Sequence, residues 1–574
     1  MGVTVSVREP AWQTGVQASE ALGPEMGLLA RLDPADFGVS VLAALTRAAG
    51  RPAEAGRAWL RYSSAMARAW PVAVARWAGA GTPPPVPPDE KDRRFADQTW
   101  TGNPGYFALL QAYLAARRLG EDLLAAGRGD PVADQKARLA LGFAFDALAP
   151  TNFLPANPAA LKKAFETGGA SVLAGARNFL DDLVHNGGRP RQVDTASFEL
   201  GRNLAATPGR VVFRNDLMEL IQYAPQTDQV RAVPLLASPP WINKYYVMDL
   251  APGRSFLEWA VTHQRTVFAI SYRNPDASMS GVTLDDYLIH GPRTALDVIC
   301  DITSSSAVDI VGLCLGGALT SMLAAYLAKT GDTRLGTITL LNTLLEYSEP
   351  GALGAFADKR TVARLERQLT RTGVMSGSQM AVTFDVLRAN DLLFNYVVSN
   401  WLMGQRPPAF DILAWNSDST RLPAAMHSFY LRSLYGRNEL AEGRLELAGQ
   451  TLSLAEVKQD AYIVGAVNDH IVPWTSSYKA TGLLGGSVRY VLSSGGHIAG
   501  IVNPPSAKSW YETAENNPPD PAQWRAGAQH HGGSWWEDWA AWAGVRAGDL
   551  VEPPPMGSRR YPAVGPAPGD YVRG

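Results

Sequence analysis

AVDIVGLCLGGALTSMLAA, residues Ala307 to Ala325, passes from an apolar, β-branched run through a Gly-x-Cys-x-Gly turn at Gly312, Cys314 and Gly316 into a small-residue helical pattern. This is the sequence form of a nucleophile elbow, in which the reactive side chain stands on a strained turn between a strand and a helix. The flanking glycines are required because a Cβ would collide where the helix start crosses neighbouring strands. The nucleophile is then Cys314. A thiolate is intrinsically more nucleophilic than a hydroxyl and well matched to acyl transfer from a thioester. A buried structural cysteine in a glycine-rich turn is the competing reading of this stretch taken alone.

Outward from the elbow, apolar β-rich runs occur at Arg210–Asn215, Glu219–Ala224, Ala232–Ser238, Thr266–Tyr272, Ala307–Leu313, Gly336–Thr343, Ala461–Asp469 and Val488–Ser494. The later runs are continuous and separated by helical segments, the signature of a parallel sheet buried on both faces. Eight strands with the elbow after the fifth is the strand plan of an α/β-hydrolase fold. The insertion from Leu344 to Asp460, between the sixth and seventh strands, is where that fold carries a cap. Its stretch from Asn390 to Tyr435 is aromatic, helical in pattern and interrupted by Pro407 and Pro408. A helical subdomain with no gating role is the alternative.

Everything upstream of the sheet reads as helix. Residues 1 to about 80 are rich in Ala and Arg, and Thr82–Pro88, TPPPVPP, is a stiff connector. Asn157 before Pro158 is a helix start, a capping side chain followed by proline at the first helical position. Apolar residues then recur from Leu161 to Leu183, and the helix is expected to stop at Asn186, Gly187 and Gly188. The boundary falls near Val193, giving a helical N-terminal domain over 1–193 and a catalytic domain over 194–574.

With 574 residues and a net charge of −2, the chain has no basic field for nucleic acid or for an anionic membrane surface. Two cysteines, Cys300 and Cys314, argue against a disulfide scaffold and fit a reducing, cytoplasmic compartment. The sequence contains neither a signal peptide pattern nor an apolar window long enough for a transmembrane segment.

An elbow cysteine needs a base and an orienting acid, which in this fold follow in the order nucleophile, acid, histidine. Asp469, in VGAVNDHIVPW, ends the seventh strand, and His497, in VLSSGGHIAGIVNPP, lies in the glycine-rich loop after the eighth. Both fall at the sheet edge that carries Cys314. His470, beside Asp469, reads as a site neighbour within reach of substrate. Cys300 shares a helical face with Leu296 and reads as core. One oxyanion donor is the backbone of Leu315. The other lies in the loop SPPWINKYY, where Pro239 and Pro240 have no N–H, leaving Trp241 or Ile242, of which Ile242 is preferred. Trp241 and Asn243 of that loop are placed near the substrate. No metal-ligand spacing and no dinucleotide fingerprint occurs, so no cofactor is implied. Trp535, Trp539 and Trp542 share one helical face, read as core packing rather than a surface for a hydrophobic product.

From about Asp92 onward the chain resembles the polyhydroxyalkanoate synthases, which build bacterial storage polyester from hydroxyacyl-CoA. The resemblance rests on DRRFADQTW, TNFLPANPAALK, PPWINKYYVMDL, SYRNPD, GLCLGG, NYVVSNWLMG, FDILAWNSDSTRLPAAMHSFYLR, VNDHIVPW and GGHIAGIVNPP. The helical extension before the catalytic core is similar to the single-polypeptide kind. The resemblance implies covalent acylation of Cys314 by an (R)-3-hydroxyacyl-CoA, activation by His497, and a third member, Asp469, that orients the histidine or assists the attacking 3-hydroxyl. It further implies a homodimer at the surface of polyester granules, in the company of granule-associated proteins. One departure is Tyr272 in SYRNPD, where relatives of this family carry Trp. The alternatives are a cysteine-nucleophile thioesterase or polyester depolymerase, which would release free hydroxy acid, and a non-catalytic granule-coating protein, which would take up no acyl label.

Overall fold

The strand that feeds the elbow, Val308–Leu313, is buried at all six positions, as is Ala461–Ala466. Strands that are apolar on both faces belong in the middle of a sheet covered on both sides. The computed structural model describes residues 34–89 and 92–574, and its main sheet has eleven strands. In chain order these are β1 (Gly209–Arg214), β2 (Met218–Tyr223), β3 (Leu235–Ser238), β4 (Val267–Tyr272), β5 (Val308–Leu313), β6 (Leu335–Leu341), β7 (Ala461–Ala466), β8 (Val488–Ser493), β9 (Trp510–Thr513), β10 (Gln529–Gly532) and β11 (Gly565–Pro566). Across the sheet they run β10-β9-β8-β7-β6-β5-β3-β4-β2-β1-β11. The strands from β3 to β8 pair in parallel, and β1 and β2 join antiparallel. This is an α/β-hydrolase sheet. Its first eight strands are those expected from the apolar runs, and the elbow follows the fifth. β9, β10 and β11 extend it antiparallel at the two edges.

By Cα proximity the chain forms two units, one of residues up to Asp194 together with Ala381–Pro408, the other of Thr195–Met380 with Ala409–Gly574. The segment Ala381–Pro408, expected within the cap, therefore groups with the helical unit. The helical reading of the first 33 residues lies outside the described residues.

In the first unit, helices Pro52–Trp77 and Pro104–Ala126 can lie close because the buried face of the former is Ala58, Ala65, Ala69 and Ala73. The proline-rich connector is pinned rather than free: Gln111 accepts from the Val86 N–H (2.8 Å) and donates to the Val86 carbonyl (3.0 Å). The Asn157 side chain caps helix Pro158–Glu166 by accepting from the Ala160 N–H. That helix stops earlier than expected. Gly168 and Gly169 both have positive φ, and a second helix runs Ala170–His185. Among the described residues no helix is long and apolar enough to cross a membrane.

In the second unit a buried ion pair ties the sheet's central strands to the loop before β4. Arg265 donates to Asp309 Oδ2 (2.6 Å), both side chains being almost fully buried, and the other Asp309 oxygen accepts from the Thr337 N–H (2.6 Å). Removing one partner of such a pair leaves an uncompensated buried charge. Asp309→Ala is therefore expected to destabilise the protein by about 3–5 kcal/mol, read as a lowered urea midpoint by tryptophan fluorescence.

Candidate active site

The elbow is built by close approach. Cys314, between β5 and helix Leu315–Thr330, stands at φ 52°, ψ −115°, a left-handed conformation that costs a non-glycine residue of order 1–3 kcal/mol. The turn closes only because its neighbours lack side chains. A Cβ on Gly312 would strike Gly317 Cα and Gly316 O, one on Gly316 would strike the Ser238 and Pro239 carbonyls, and one on Gly317 would overlap Thr343. Gly316 thus brings the loop after β3 against the elbow, so the donors expected from Leu315 and from Trp241 or Ile242 lie on adjacent pieces of backbone.

His497 sits in the loop after β8, 7 % exposed, and its Nδ1 hydrogen-bonds Asp469 Oδ2 at 2.7 Å. The imidazole also lies within electrostatic reach of the Cys314 sulfur. The structure therefore brings Cys314, His497 and Asp469 together. The other Asp469 oxygen accepts from the Ile471 and Val472 N–H groups, each at 2.8 Å. Burial disfavours the charged imidazole, but the negative Asp469 and its hydrogen bond, with the Cys314 sulfur nearby, outweigh it and hold the His497 pKa well above the ordinary value.

The loop bearing His497 is fixed by groups that the sequence reading did not single out. Asn342, at the end of β6 and fully buried, donates from Nδ2 to the His497 carbonyl (2.5 Å). The helix Trp535–Gly544 lays Trp535, Trp536 and Trp539 on Phe256, with ring centroids 4.7–5.5 Å away. Two of those indoles reach the histidine loop: Trp535 donates to the Gly500 carbonyl (2.8 Å) and Trp536 to that of Ile501 (2.9 Å). Packing, as expected, is the role of this helix, and holding the histidine loop is an additional one.

Around Cys314 stand Tyr347 and Tyr430, both buried, and the half-buried Tyr435, all within electrostatic reach of its sulfur. Their rings contact one another at 4.9–6.5 Å. Burial, together with neighbouring negative groups, raises their pKa values, so they are neutral hydroxyls at any working pH. Trp241, 3 % exposed, packs its ring on Tyr430 (5.8 Å) and Tyr287 (6.0 Å). Asn243 has φ 64°, and its N–H is taken by Thr420 Oγ1 at 2.8 Å. Ile242 is half-buried, and its N–H has no protein acceptor among the described residues. His470 is half-buried in the turn after Asp469. Cys300 is half-buried beside Arg334 rather than wholly in the core; burial raises its pKa, partly offset by Arg334.

Comparison with known proteins places this geometry. Residues 91–260 match the family described as poly-beta-hydroxybutyrate polymerase (PhaC) N-terminus, and residues 238–504 match the alpha/beta hydrolase fold. The chain is 41% identical over 544 residues to the poly(3-hydroxyalkanoate) polymerase subunit PhaC of Cupriavidus necator, covering 93% of this chain and 91% of the relative. It is 40% identical over 527 residues to the poly(3-hydroxyalkanoate) polymerase of Methylorubrum extorquens, covering 91% and 87%. It is 41% identical over 487 residues to poly(3-hydroxyalkanoate) polymerase 1 of Ectopseudomonas oleovorans, covering 84% and 87%.

The raised His497 pKa has a sign that can be measured. A group whose pKa is higher folded than unfolded adds stability that is fully present below the unfolded value, about 6.5, and lost as pH rises through the folded one. In Asp469→Asn the largest opposing charge is gone and burial gains weight, so imidazole NMR should show His497 titrating at lower pH than in the wild type.

Proposed function

The chain belongs to the poly(3-hydroxyalkanoate) polymerase family, and on that premise we propose that its chemistry is carried by Cys314, His497 and Asp469. It is an acyltransferase that joins hydroxyacyl-CoA units into polyester. The observation that carries the reading of the site is the Asp469–His497 hydrogen bond, with the imidazole in electrostatic reach of a thiol on a strained elbow.

In the proposed cycle His497 takes the Sγ proton of Cys314, and the thiolate attacks the thioester carbonyl of an (R)-3-hydroxyacyl-CoA. The developing oxyanion lies between the N–H groups of Leu315 and Ile242, donors already in place before the charge appears. The C–S bond to CoA breaks, His497 returns the proton to the departing thiolate, and Cys314 holds the acyl group as a thioester. The 3-hydroxyl of an incoming unit then attacks that thioester, giving up its proton to His497, which passes it to the cysteine sulfur. The ester-linked chain, now carried on CoA, reacylates Cys314 and releases free CoA. The buried tyrosines over the sulfur keep water away during the interval in which the thioester waits for an alcohol. His470, Trp241 and Asn243 are placed around the acyl group, at the mouth formed by the loops after β3 and β7. No cofactor takes part in this cycle.

The geometry favours an orienting role for Asp469. One oxygen faces the imidazole and the other is occupied by two backbone N–H groups, so the carboxylate reaches a substrate hydroxyl only through His497. We assign an N-terminal region running to residue 193 and a catalytic region over 194–574, apart from the segment Ala381–Pro408 that groups with the helical unit. Homodimerisation and work in the cytoplasm at the surface of a polyester granule, alongside granule-associated proteins, complete the proposal.

Two measurements test it. Cys314→Ala should take up no acyl label from a hydroxyacyl-CoA and make no polymer, and label equal to wild type overturns the assignment. Asp469→Asn should slow single-turnover CoA release and chain extension by the same factor, on the order of 10²–10⁴. A loss confined to extension would instead show the aspartate acting on the hydroxyl.

A further inference from the structure

The loop after β3 has little regular structure to hold it until the short turn Tyr245–Val247, yet it must present an N–H to the oxyanion within a few tenths of an ångström. On one side it is held by the segment Trp415–Arg421. The Trp415 indole donates to the Lys244 carbonyl (2.8 Å), the Tyr246 hydroxyl donates to Asp418 (3.0 Å), and Thr420 Oγ1 accepts from the Asn243 N–H and lies 3.4 Å from the Trp241 carbonyl. On the other side it is held by the side chain of Lys244.

Lys244 is 4 % exposed. Its ammonium donates to the carbonyl oxygens of Val572 (3.0 Å) and Gly574 (2.6 Å), and Asn274 Nδ2 donates to the same Gly574 oxygen (3.0 Å). Those carbonyls are themselves fixed. One oxygen of Glu219, a fully buried residue of β2, accepts from the N–H groups of Asp570 and Tyr571, both at 2.9 Å. The Tyr571 hydroxyl donates to the Asn215 carbonyl (2.6 Å). A continuous line of bonds thus runs from the sheet through Glu219 and residues 570–574 to Lys244, two residues after Ile242. A buried ammonium is costly to desolvate, and a lysine is not needed here for packing, which an apolar side chain would do as well. What the ammonium adds is a directional anchor.

We propose that Lys244 is a positioning residue for the acylation step, tying the oxyanion loop to residues 570–574 so that the Ile242 N–H stands where the negative charge develops. The inference rests on the proposed roles of Cys314 and Ile242. Lys244 touches neither substrate nor sulfur and acts through the backbone two residues before it.

The experiment separates addition to a carbonyl, which needs the oxyanion donors, from alkylation at an sp³ carbon, which does not. In full-length Lys244→Met, single-turnover CoA release from a hydroxyacyl-CoA should slow on the order of 10²-fold with KM within twofold. Alkylation of Cys314 by iodoacetamide should proceed within twofold of wild type. Asn274→Asp, which keeps an acceptor for the Arg421 N–H (2.9 Å) but loses the donor to the Gly574 oxygen and leaves the ammonium, should show the same split to a smaller degree and keeps the test available if Lys244→Met does not fold. Equal slowing of both reactions means a general loss of structure and overturns the proposal, as does no slowing of either. If Cys314→Ala still accepts the acyl label, the underlying nucleophile assignment fails, whatever Lys244→Met does.

Discussion

Everything in the second unit answers to one steric constraint, that a residue with a side chain must occupy a left-handed turn between a buried strand and a buried helix. Cys314 can do so because Gly312 and Gly316 let backbone meet backbone and Gly317 leaves room for the Thr343 side chain. The same close approach fixes where the loop after β3 lies, since the Ser238 and Pro239 carbonyls sit where a Gly316 side chain would be. Strain at Cys314 and proximity of the loop after β3 are therefore one feature seen from two sides. The parallel strands β5 and β6, locked across Asp309 and Thr337, supply the rigidity against which the strain is held.

The second theme is charge in a dry place. A histidine this deeply buried would ordinarily be neutral; here a carboxylate whose second oxygen is satisfied by backbone, together with the cysteine sulfur, reverses that preference. The three tyrosines over the sulfur contribute neutral hydroxyls and apolar ring faces, so the site is shielded without further charge.

Much of this was legible in the sequence, and the gaps have physical reasons. The eight core strands announce themselves because burial on both faces demands unbroken apolar runs, and the order Cys314, Asp469, His497 follows from their places after β5, β7 and β8. β9 and β10 escaped notice because WYET and QHHG are only partly buried and carry no such run, and β11 is two residues long. The helix break at Gly168–Gly169 was written in two adjacent glycines, but the apolar spacing continues across it. Asn342 shows no periodic signal at all, since its task exists only where the end of β6 meets the loop after β8. Tyr347, Tyr430 and Tyr435 stand far apart along the chain and converge only through the fold. The grouping of Ala381–Pro408 with the helical unit likewise depends on contacts such as Asn178 with Asn400 that no local pattern encodes.

The indole clamps on Gly500 and Ile501 set an order of events during synthesis. The thiol of Cys314 emerges from the ribosome long before Trp535 and Trp536, and until those two residues dock, the loop carrying His497 lacks two of the donors that hold its carbonyls. The residues that secure this loop are thus made more than two hundred positions after Cys314.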